Sequence, residues 1–381
     1  MFKQTLLNTI FDYNFEKSCP GSSAWIEHLP SNVRNQGSLT VNLLLGVKTA
    51  GGRRFKSCLG HNPFQGYAKM SKCCHLRAFS CALNLLNART SRLSRSGAQK
   101  IKIEKMVKKK LKFPLKGKYL VMLAPSFVVC FPYPEIILAL KKIGFDKVVE
   151  LTFGAKMVNR EYHSLLENSK ELVISSVCPG VVETIKSSFP RYKKNIANID
   201  SPMIATAKIC KKTYPKHKIV FISPCDFKKI EAKQSKYVDF AVNYKELNEI
   251  FSEQKIDFSK FKSKETFDRF YNDYTKVYPI SGGLSATVHS KKILNKKEIK
   301  VVDSVLNLKK FLKSPDKNIK FLDATFCKGS CIGGPAVFSP LNITQRKKKI
   351  LEYLEKSKHE NISESKKGVI SKAKGISFIR R

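Results

Sequence analysis

From Gly117 onward, short runs of β-branched residues alternate with longer stretches of helical periodicity. This alternation predicts α/β units with right-handed crossovers between parallel strands. The predicted strands are Tyr119–Leu123, Lys147–Leu151, Leu172–Ser175, Lys218–Ile222, Val238–Val242, Ile299–Val302 and Ile319–Leu322. The predicted helices are Glu135–Lys142, Asn159–Asn168, Val181–Phe189, Ser201–Lys212 and Gln345–Lys358.

Three of the predicted strands lead directly into cysteines. Cys178 and Cys225 each follow a β-branched run and have a proline beside them, whereas Cys327 and Cys331 lie in a glycine-rich turn. Parallel strands deliver residues at their carboxyl ends, where open α/β sheets bind ligands. Thiolates are the ligands of iron–sulfur clusters and zinc. Two cysteines four residues apart are, taken alone, more often buried residues of a helix. The prediction of a metal site therefore depends on cysteines that follow three different strands.

The chain divides by composition into four parts. Residues 118–359 carry the regular pattern, whereas 1–100 show little periodicity, 101–117 form a basic linker and 360–381 form a basic tail that we expect to fray. The first part holds five cysteines without the spacing of a ferredoxin module, namely Cys19, Cys58, Cys73, Cys74 and Cys81.

The first hundred residues leave two hypotheses open. Gly21–Pro30 and Gly51–Cys58 read like the translation of a transfer-RNA gene, so one hypothesis is a gene-model artefact with the working protein starting near Met106. The alternative is a genuine extension that is divergent or disordered.

The 381 residues include 71 Lys and Arg against 30 Asp and Glu, a formal net charge of +41. Such an excess suits nucleic acid or an acidic partner protein. Lysines are spread along the whole chain and no nucleic-acid motif is present, so we favour general lysine bias or an acidic partner. The eleven cysteines are too scattered for a secreted disulfide framework. No apolar run suggests a signal peptide or membrane insertion, so we expect a cytoplasmic protein.

Three cysteine-bearing segments resemble, in order, the three signature segments of [FeFe]-hydrogenases. They are Ser-Ser-Val-Cys178-Pro-Gly, Ser-Pro-Cys225-Asp-Phe-Lys-Lys-Ile-Glu-Ala and Cys327-Lys-Gly-Ser-Cys331-Ile-Gly-Gly. The resemblance covers roughly 118–359. It implies an α/β fold with two lobes of twisted, mostly parallel sheet flanked by helices and a cluster between them.

The resemblance also implies the cofactor. This is the H-cluster, a [4Fe–4S] cube joined through one cysteine sulfur to a di-iron unit with CO, cyanide and azadithiolate ligands. Carried over by position, Cys178, Cys225, Cys327 and Cys331 would bind the cube, and Cys331 would be shared with the di-iron unit.

Two charged residues of the second segment acquire roles from the same resemblance. Lys228 would donate a charge-assisted hydrogen bond to a cyanide, and Glu231 would orient Lys228. The alternative is a surface lysine in an ordinary helical ion pair, which contributes about 0.3–0.5 kcal/mol.

Five further residues would line the di-iron unit. Ala124, Pro125 and Ser126 would wall the distal iron, with the Ser126 hydroxyl near a cyanide. Pro202 and Met203 would lie near the CO ligands. The plainer interpretations are a strand-terminating turn and a capped helix start.

The chain departs from the family where protons would be transferred. Val177 occupies the position at which active members carry a proton-relaying cysteine, and valine has no exchangeable side-chain proton. Proton delivery is therefore rerouted or slow. Ser223 and Thr325 stand where the family usually has methionines, and Ala197 stands where it has a serine. The acidic residues of the family's proton path have no secure counterpart, and Glu161 and Glu167 are the nearest candidates.

Together these features favour a minimal [FeFe]-hydrogenase core that interconverts hydrogen with protons and electrons, either slowly or as a sensor. Ferredoxin or another redox protein would supply electrons, and hydrogenase maturation proteins would build the cofactor. One alternative is a non-catalytic iron–sulfur protein like the hydrogenase-like factors of cytosolic cluster assembly. Another is a structural zinc site, although the cysteine spacings fit no zinc module.

Overall fold

The computed structural model describes residues 111–290 and 292–380. The described chain contains two parallel sheets flanked by helices, as predicted. The strands are β1 (Tyr119–Leu123), β2 (Lys147–Glu150), β3 (Val173–Ile174), β4 (Lys218–Ser223), β5 (Phe240–Asn243), β6 (Ile299–Asp303) and β7 (Phe321–Thr325). All seven lie where the hydrophobic pattern predicts a strand, with shifts of a few residues at their ends.

The larger sheet has the order β2-β1-β4-β5 and every pair is parallel. Its central strands are apolar on both faces because helices cover both. Leu120 and Met122 of β1 pack into one core, whereas Val121 and Leu123 pack into a second core on the opposite face.

The smaller sheet has the order β3-β7-β6, again with parallel pairs. Ile174, Leu322 and Ala324 join its own buried cluster. Chain crossovers place β3 beside β7, which is far away in sequence. This arrangement brings the segments after these two strands to one edge.

Nine α-helices lie within the described residues. They are α1 (Glu135–Lys142), α2 (Thr152–Asn168), α3 (Pro179–Ser188), α4 (Pro202–Thr213), α5 (Phe227–Lys233), α6 (Tyr244–Glu253), α7 (Gly283–Ser290), α8 (Val305–Lys313) and α9 (Ile343–Lys358). The sequence pattern misses α5 to α8, and α2 begins seven residues earlier than predicted.

Helices α2 and α4 approach each other closely at Gly154. A Cβ there would lie 2.0 Å from the Thr206 hydroxyl oxygen and 2.9 Å from the Pro202 carbonyl oxygen. Glycine is therefore required at this crossing, which fixes the start of α4 against α2.

The prediction that 360–381 frays is wrong for its described part. Ile362, Ala373 and Phe378 are buried, and the Asp200 amide donates to the Phe378 carbonyl at 2.8 Å. Apolar residues within the basic tail supply this packing. At the described end of the predicted linker, Leu111 and Leu115 are buried in the core. The predictions for residues 1–100, including their five cysteines, lie outside the described residues.

Among the described residues, the helices are too short or too polar to be candidates for crossing a membrane.

Candidate metal centre

Each cysteine-bearing segment begins at the carboxyl end of a strand. Cys178 is the N-cap of α3 after β3, Cys225 follows β4 by two residues, and Cys327 follows β7 by two residues. Cys331 lies four residues further on, in the 3-10 helix Ser330–Gly333. The cysteines are therefore supplied from both sheets, as the strand pattern predicts.

Residues beside three of the cysteines touch one another. The rings of Phe227 and Phe326 meet edge to face, with centroids 4.9 Å apart. A Cβ on Gly180 would lie 2.8 Å from the Phe326 ring and 3.1 Å from the Phe227 ring. These residues are two positions or fewer from Cys178, Cys225 and Cys327. The three loops therefore converge at one place.

The turn that carries Cys331 packs against the loop of Cys225. A Cβ on Gly333 would lie 1.9 Å from the Lys328 carbonyl oxygen, and one on Gly334 would lie 2.6 Å from the Pro224 carbonyl oxygen. The Ala336 amide also donates to that Pro224 oxygen at 3.1 Å. The glycines are needed here because backbone approaches backbone too closely for a side chain.

The thiols influence one another electrostatically. Burial raises the pKa of Cys327 to about 12, and the Cys225 and Cys178 thiols add to the increase. Burial also raises the pKa of Cys331, with contributions from all three other thiols. Coulombic influence of this kind requires short separations in a low-dielectric setting. Each of these thiols therefore opposes the ionisation of the others, as expected for cysteines on three converging loops.

Cys331 combines two properties that are usually opposed. Its side chain has solvent-accessible surface, yet burial raises its pKa well above the ordinary value. The surrounding cysteine loops desolvate the thiol although the residue keeps accessible surface.

No group of three or more His, Cys, Asp or Glu side chains within the described residues is arranged to hold a single metal ion. A four-cysteine zinc site needs all its sulfurs around one ion. A [4Fe–4S] cube does not, because each thiolate binds a different iron. The thiol set and the glycine-rich backbone around it fit a cube.

Lys228 and Glu231 form a nearly buried ion pair on α5. The Lys228 ammonium donates to the Glu231 carboxylate at 2.6 Å and to the Val177 carbonyl at 3.2 Å, and the two side chains are 14% and 11% exposed. The Lys228 charge lowers the pKa of Cys225 and Cys331 against the larger effect of burial. This lysine therefore faces the thiols and is not the exposed surface lysine of the alternative interpretation.

Ser126 is fully buried in the 3-10 helix Pro125–Val129, directly after Ala124. Its hydroxyl lies 2.6 Å from the Tyr244 hydroxyl, which donates to the Ala124 carbonyl at 3.1 Å. Tyr244 thus connects the Ser126 hydroxyl to the Ala124 backbone. Burial raises the pKa of Tyr244, and the Cys331 thiol contributes to the increase. The turn and the thiols are therefore neighbours.

Pro202 and Met203 begin α4, and Met203 is fully buried. The side chain of Ser201 accepts from the Ile204 amide, so this segment is a capped helix start. A role of Pro202 and Met203 toward a di-iron unit stays a prediction, as do the ligand and pocket roles of the other residues.

The residues that depart from the family lie around this centre or on α2. Val177 is partly buried and packs against the core. Ser223 donates to the Cys225 carbonyl at 3.2 Å, and Thr325 accepts from the Ser330 hydroxyl at 3.2 Å. The remaining departures are the buried Ala197, the half-buried Glu161 and the exposed Glu167.

Sequence reasoning missed three residues that support the centre. Tyr244 holds Ser126, and Arg346 on α9 donates to the carbonyls of Ile332, Ser339 and Leu341 at 2.7–2.9 Å. Arg380 donates to the Ser176 carbonyl at 3.2 Å. Tyr244 and Arg380 act on residues more than a hundred positions away. The partners of Arg346 are close in the chain, but they are backbone oxygens, which no side-chain pattern marks.

A family model described as "Iron only hydrogenase large subunit, C-terminal domain" matches residues 118–335. This match spans more than half of the chain, so the protein belongs to that family. Iron–sulfur cofactors are implied for its members.

Iron hydrogenase 1 of Clostridium pasteurianum is 25% identical, over 60% of this chain and 51% of its own length. The NADP-reducing hydrogenase subunit HndD of Solidesulfovibrio fructosivorans is also 25% identical, over 51% of this chain and 44% of its own. The chain therefore spans about half the length of these relatives.

A solved [FeFe]-hydrogenase structure, that of HydA(deltaEFG) from work on stepwise H-cluster assembly, superposes with a TM-score of 0.51. It is 15% identical, and the match covers 68% of this chain and 89% of that one. This similarity supports the two-sheet fold.

Proposed function

We propose that this protein is a minimal [FeFe]-hydrogenase that holds an H-cluster and interconverts hydrogen with protons and electrons. The observation that carries the proposal is the convergence of three strand-end loops, with Gly180, Phe227 and Phe326 in contact beside Cys178, Cys225 and Cys327. Four thiols from separate segments enclose a cluster on several sides. Burial and hydrogen bonds to sulfur then tune its potential.

Cys178, Cys225, Cys327 and Cys331 would bind the cube, and Cys331, with its accessible surface, would be the cysteine shared with a di-iron unit. When bound, the cofactor supplies electron storage and the metal site at which hydrogen is made or split. The three loops would enclose this site on several sides. These metal ligands are assigned by position from the family.

Lys228 would bind an anionic ligand of the cofactor. Its ammonium has three protons, of which two are donated to Glu231 and Val177, so one remains for a ligand of the cofactor. Such a charge-assisted hydrogen bond is worth about 1.5–3 kcal/mol. Glu231 keeps the ammonium in place. The Ser126–Tyr244 pair fixes the Ala124–Ser126 turn, which would line the distal-iron side of the cofactor site.

Val177 offers no side-chain proton in the first cysteine loop. Proton transfer would therefore use water or the hydroxyls of Ser223 and Thr325, which lie in the second and third cysteine segments. We infer slow turnover, as suits a sensory or minimal member of the family.

Electrons would come from an acidic redox protein such as ferredoxin. The net charge of +41 would steer such a partner to the protein surface. Hydrogenase maturation proteins would assemble the di-iron unit.

Hydrogen evolution tests the proposal directly. Protein co-expressed with hydrogenase maturases should evolve hydrogen from reduced methyl viologen, and Cys331→Ser should not. The matched control is Cys130→Ala, because Cys130 is a partly buried thiol outside the cysteine segments. A matured protein that holds its cube but evolves no hydrogen would instead support the non-catalytic alternative, which the missing proton donor at Val177 favours.

A further inference from the structure

The last described residues of the chain run alongside the segment before α4. The Asp200 amide donates to the Phe378 carbonyl at 2.8 Å, and the Arg380 amide donates to the Asn198 carbonyl at 3.1 Å. Lys208 donates to the Ser377 carbonyl at 2.9 Å. Phe378 is buried, which anchors this terminal segment, defined as residues 377–380, against the core.

This attachment places the Arg380 guanidinium between two cysteine loops. It donates to the Ser176 carbonyl at 3.2 Å, two residues before Cys178. It also lies 3.6 Å from the Oε1 atom of Glu231. The other carboxylate oxygen, Oε2, accepts the hydrogen bond from Lys228. One side chain thus connects the loop of Cys178, on the smaller sheet, to the helix that follows Cys225, on the larger sheet.

Arg380 adds a positive charge to the Lys228–Glu231 pair. Lys228 and Arg380 share the single carboxylate of Glu231, so this trio carries one net positive charge. The neighbouring Asp200 is neutralised by Lys208, which lies 2.5 Å away. Lys229 on the same helix pairs with both Asp226 and Glu246, a group that carries one net negative charge. Arg380 therefore adds a positive charge beside the loops of Cys178 and Cys225 that its own carboxylate partner, already paired with Lys228, does not neutralise.

We propose that Arg380 is a positioning residue of the metal centre, which holds the Cys178 loop and the Lys228–Glu231 pair together and raises the reduction potential of the bound cluster. The inference rests on the proposed cluster site, and it assigns a role in that site to a segment beyond the 118–335 family match. One guanidinium nitrogen of Arg380 contacts both the Ser176 carbonyl and the Glu231 carboxylate, and the charge of a guanidinium is permanent. The net charge near a cluster is one of the factors that set its potential.

The test uses the full chain with a [4Fe–4S] cube reconstituted from ferrous iron and sulfide, so hydrogen chemistry is not required. The variants are Arg380→Gln, Arg380→Lys and, as a charge-matched control, Arg160→Gln, which changes an exposed arginine on α2. The readouts are the midpoint potential, followed by electron paramagnetic resonance, and the rate of iron loss to a chelator.

Arg380→Gln should shift the midpoint potential to more negative values, because a nearby positive charge favours the reduced cluster. It should also lose iron faster than wild type. Arg380→Lys should keep a potential near wild type but lose iron about 2- to 10-fold faster, as expected for one lost hydrogen bond. Arg160→Gln should match wild type in both readouts.

An Arg380→Gln potential equal to that of Arg160→Gln would overturn the inference. If Arg380→Gln does not fold, a wild-type rate of iron loss in Arg380→Lys overturns it. Failure of the wild-type protein to bind a cube would remove the metal centre itself, and the role of Arg380 with it. A wild-type cube with unaffected Arg380 variants would remove only the role of Arg380.

Discussion

The ammonium nitrogen of Lys228 lies 3.2 Å from the carbonyl oxygen of Val177, so the second cysteine segment is bonded to the first. The same nitrogen lies 2.6 Å from Glu231 on its own helix. The lysine therefore connects two loops that arise from different sheets and faces the thiols between them.

Replacing this lysine should destabilise the protein. Lys228→Gln removes a nearly buried charge-assisted contact and should lower the free energy of unfolding by about 1.5–3 kcal/mol, as measured by urea denaturation. Lys233→Gln, which changes an exposed lysine on the same helix, should change it by less than about 0.5 kcal/mol. Equal small effects in both variants would show that Lys228 is an ordinary surface residue.

Cys331→Ser should separate the cube from the rest of the cofactor. The other three thiols can still hold iron, so we expect some iron and sulfide to remain while hydrogen evolution is lost. Iron analysis and gas chromatography measure the two quantities. Cys130→Ala should retain both, because Cys130 lies outside the cysteine segments. Persistent hydrogen evolution by Cys331→Ser would refute its assignment.

Val177→Cys should increase the rate of hydrogen evolution if proton delivery limits turnover. A thiol supplies an exchangeable proton in the first cysteine loop, whereas valine supplies none. Positioned general acids typically contribute about 10²–10⁴-fold in rate, which sets the upper range of the expected gain. Val177→Ala is the control for changed packing and should give no gain. An unchanged rate in Val177→Cys would assign the slow step elsewhere.

Arg346 holds the turn that carries Cys331 by donating to the three carbonyls of Ile332, Ser339 and Leu341. Arg346→Lys keeps the positive charge but loses the planar guanidinium, whose three nitrogens donate these bonds. We expect the free energy of unfolding to fall by about 1–3 kcal/mol. The exposed neighbour provides the control, since Lys347→Gln should be close to neutral. Thermal denaturation of both variants checks this, and a stable Arg346→Lys protein would contradict the role.

Electron delivery by an acidic ferredoxin should weaken as salt is added. Steering between opposite charges is screened over about 10 Å at 0.1 M ionic strength. Stopped-flow reduction of the cube should therefore be slower at 0.5 M than at 0.05 M sodium chloride. Reduction by dithionite, a small anion without a docking surface, should depend less on salt. A salt-independent rate with ferredoxin would argue against a charge-steered partner.

The strands were predictable because each is a short β-branched run, and β1 and α1 have the predicted ends. Helix α5 is hard to predict because its few apolar residues lie in a lysine-rich stretch. Helix α6 is readable from the sequence, since Tyr244, Leu247, Ile250 and Phe251 share one face after a capping box at Asn243. The four cysteines could be predicted as candidate metal ligands because they follow the ends of three predicted strands.

Burial of charge was the main feature that the sequence could not reveal. Lys276 is fully buried, 2.5 Å from the fully buried Glu150, in a chain where most lysines look alike. Arg380 was assigned to a fraying tail for the same reason. In both cases the partner is more than a hundred residues away, so no local pattern identifies the contact.

Infrared spectroscopy of protein matured with hydrogenase maturases tests the central claim most directly, because CO and cyanide ligands absorb where protein does not. If the four thiols and Lys228 hold an H-cluster, the matured wild-type protein should show CO and cyanide bands. Cys331→Ser should abolish these bands. A matured wild-type sample that contains the cube but shows no such bands would contradict an H-cluster at this site.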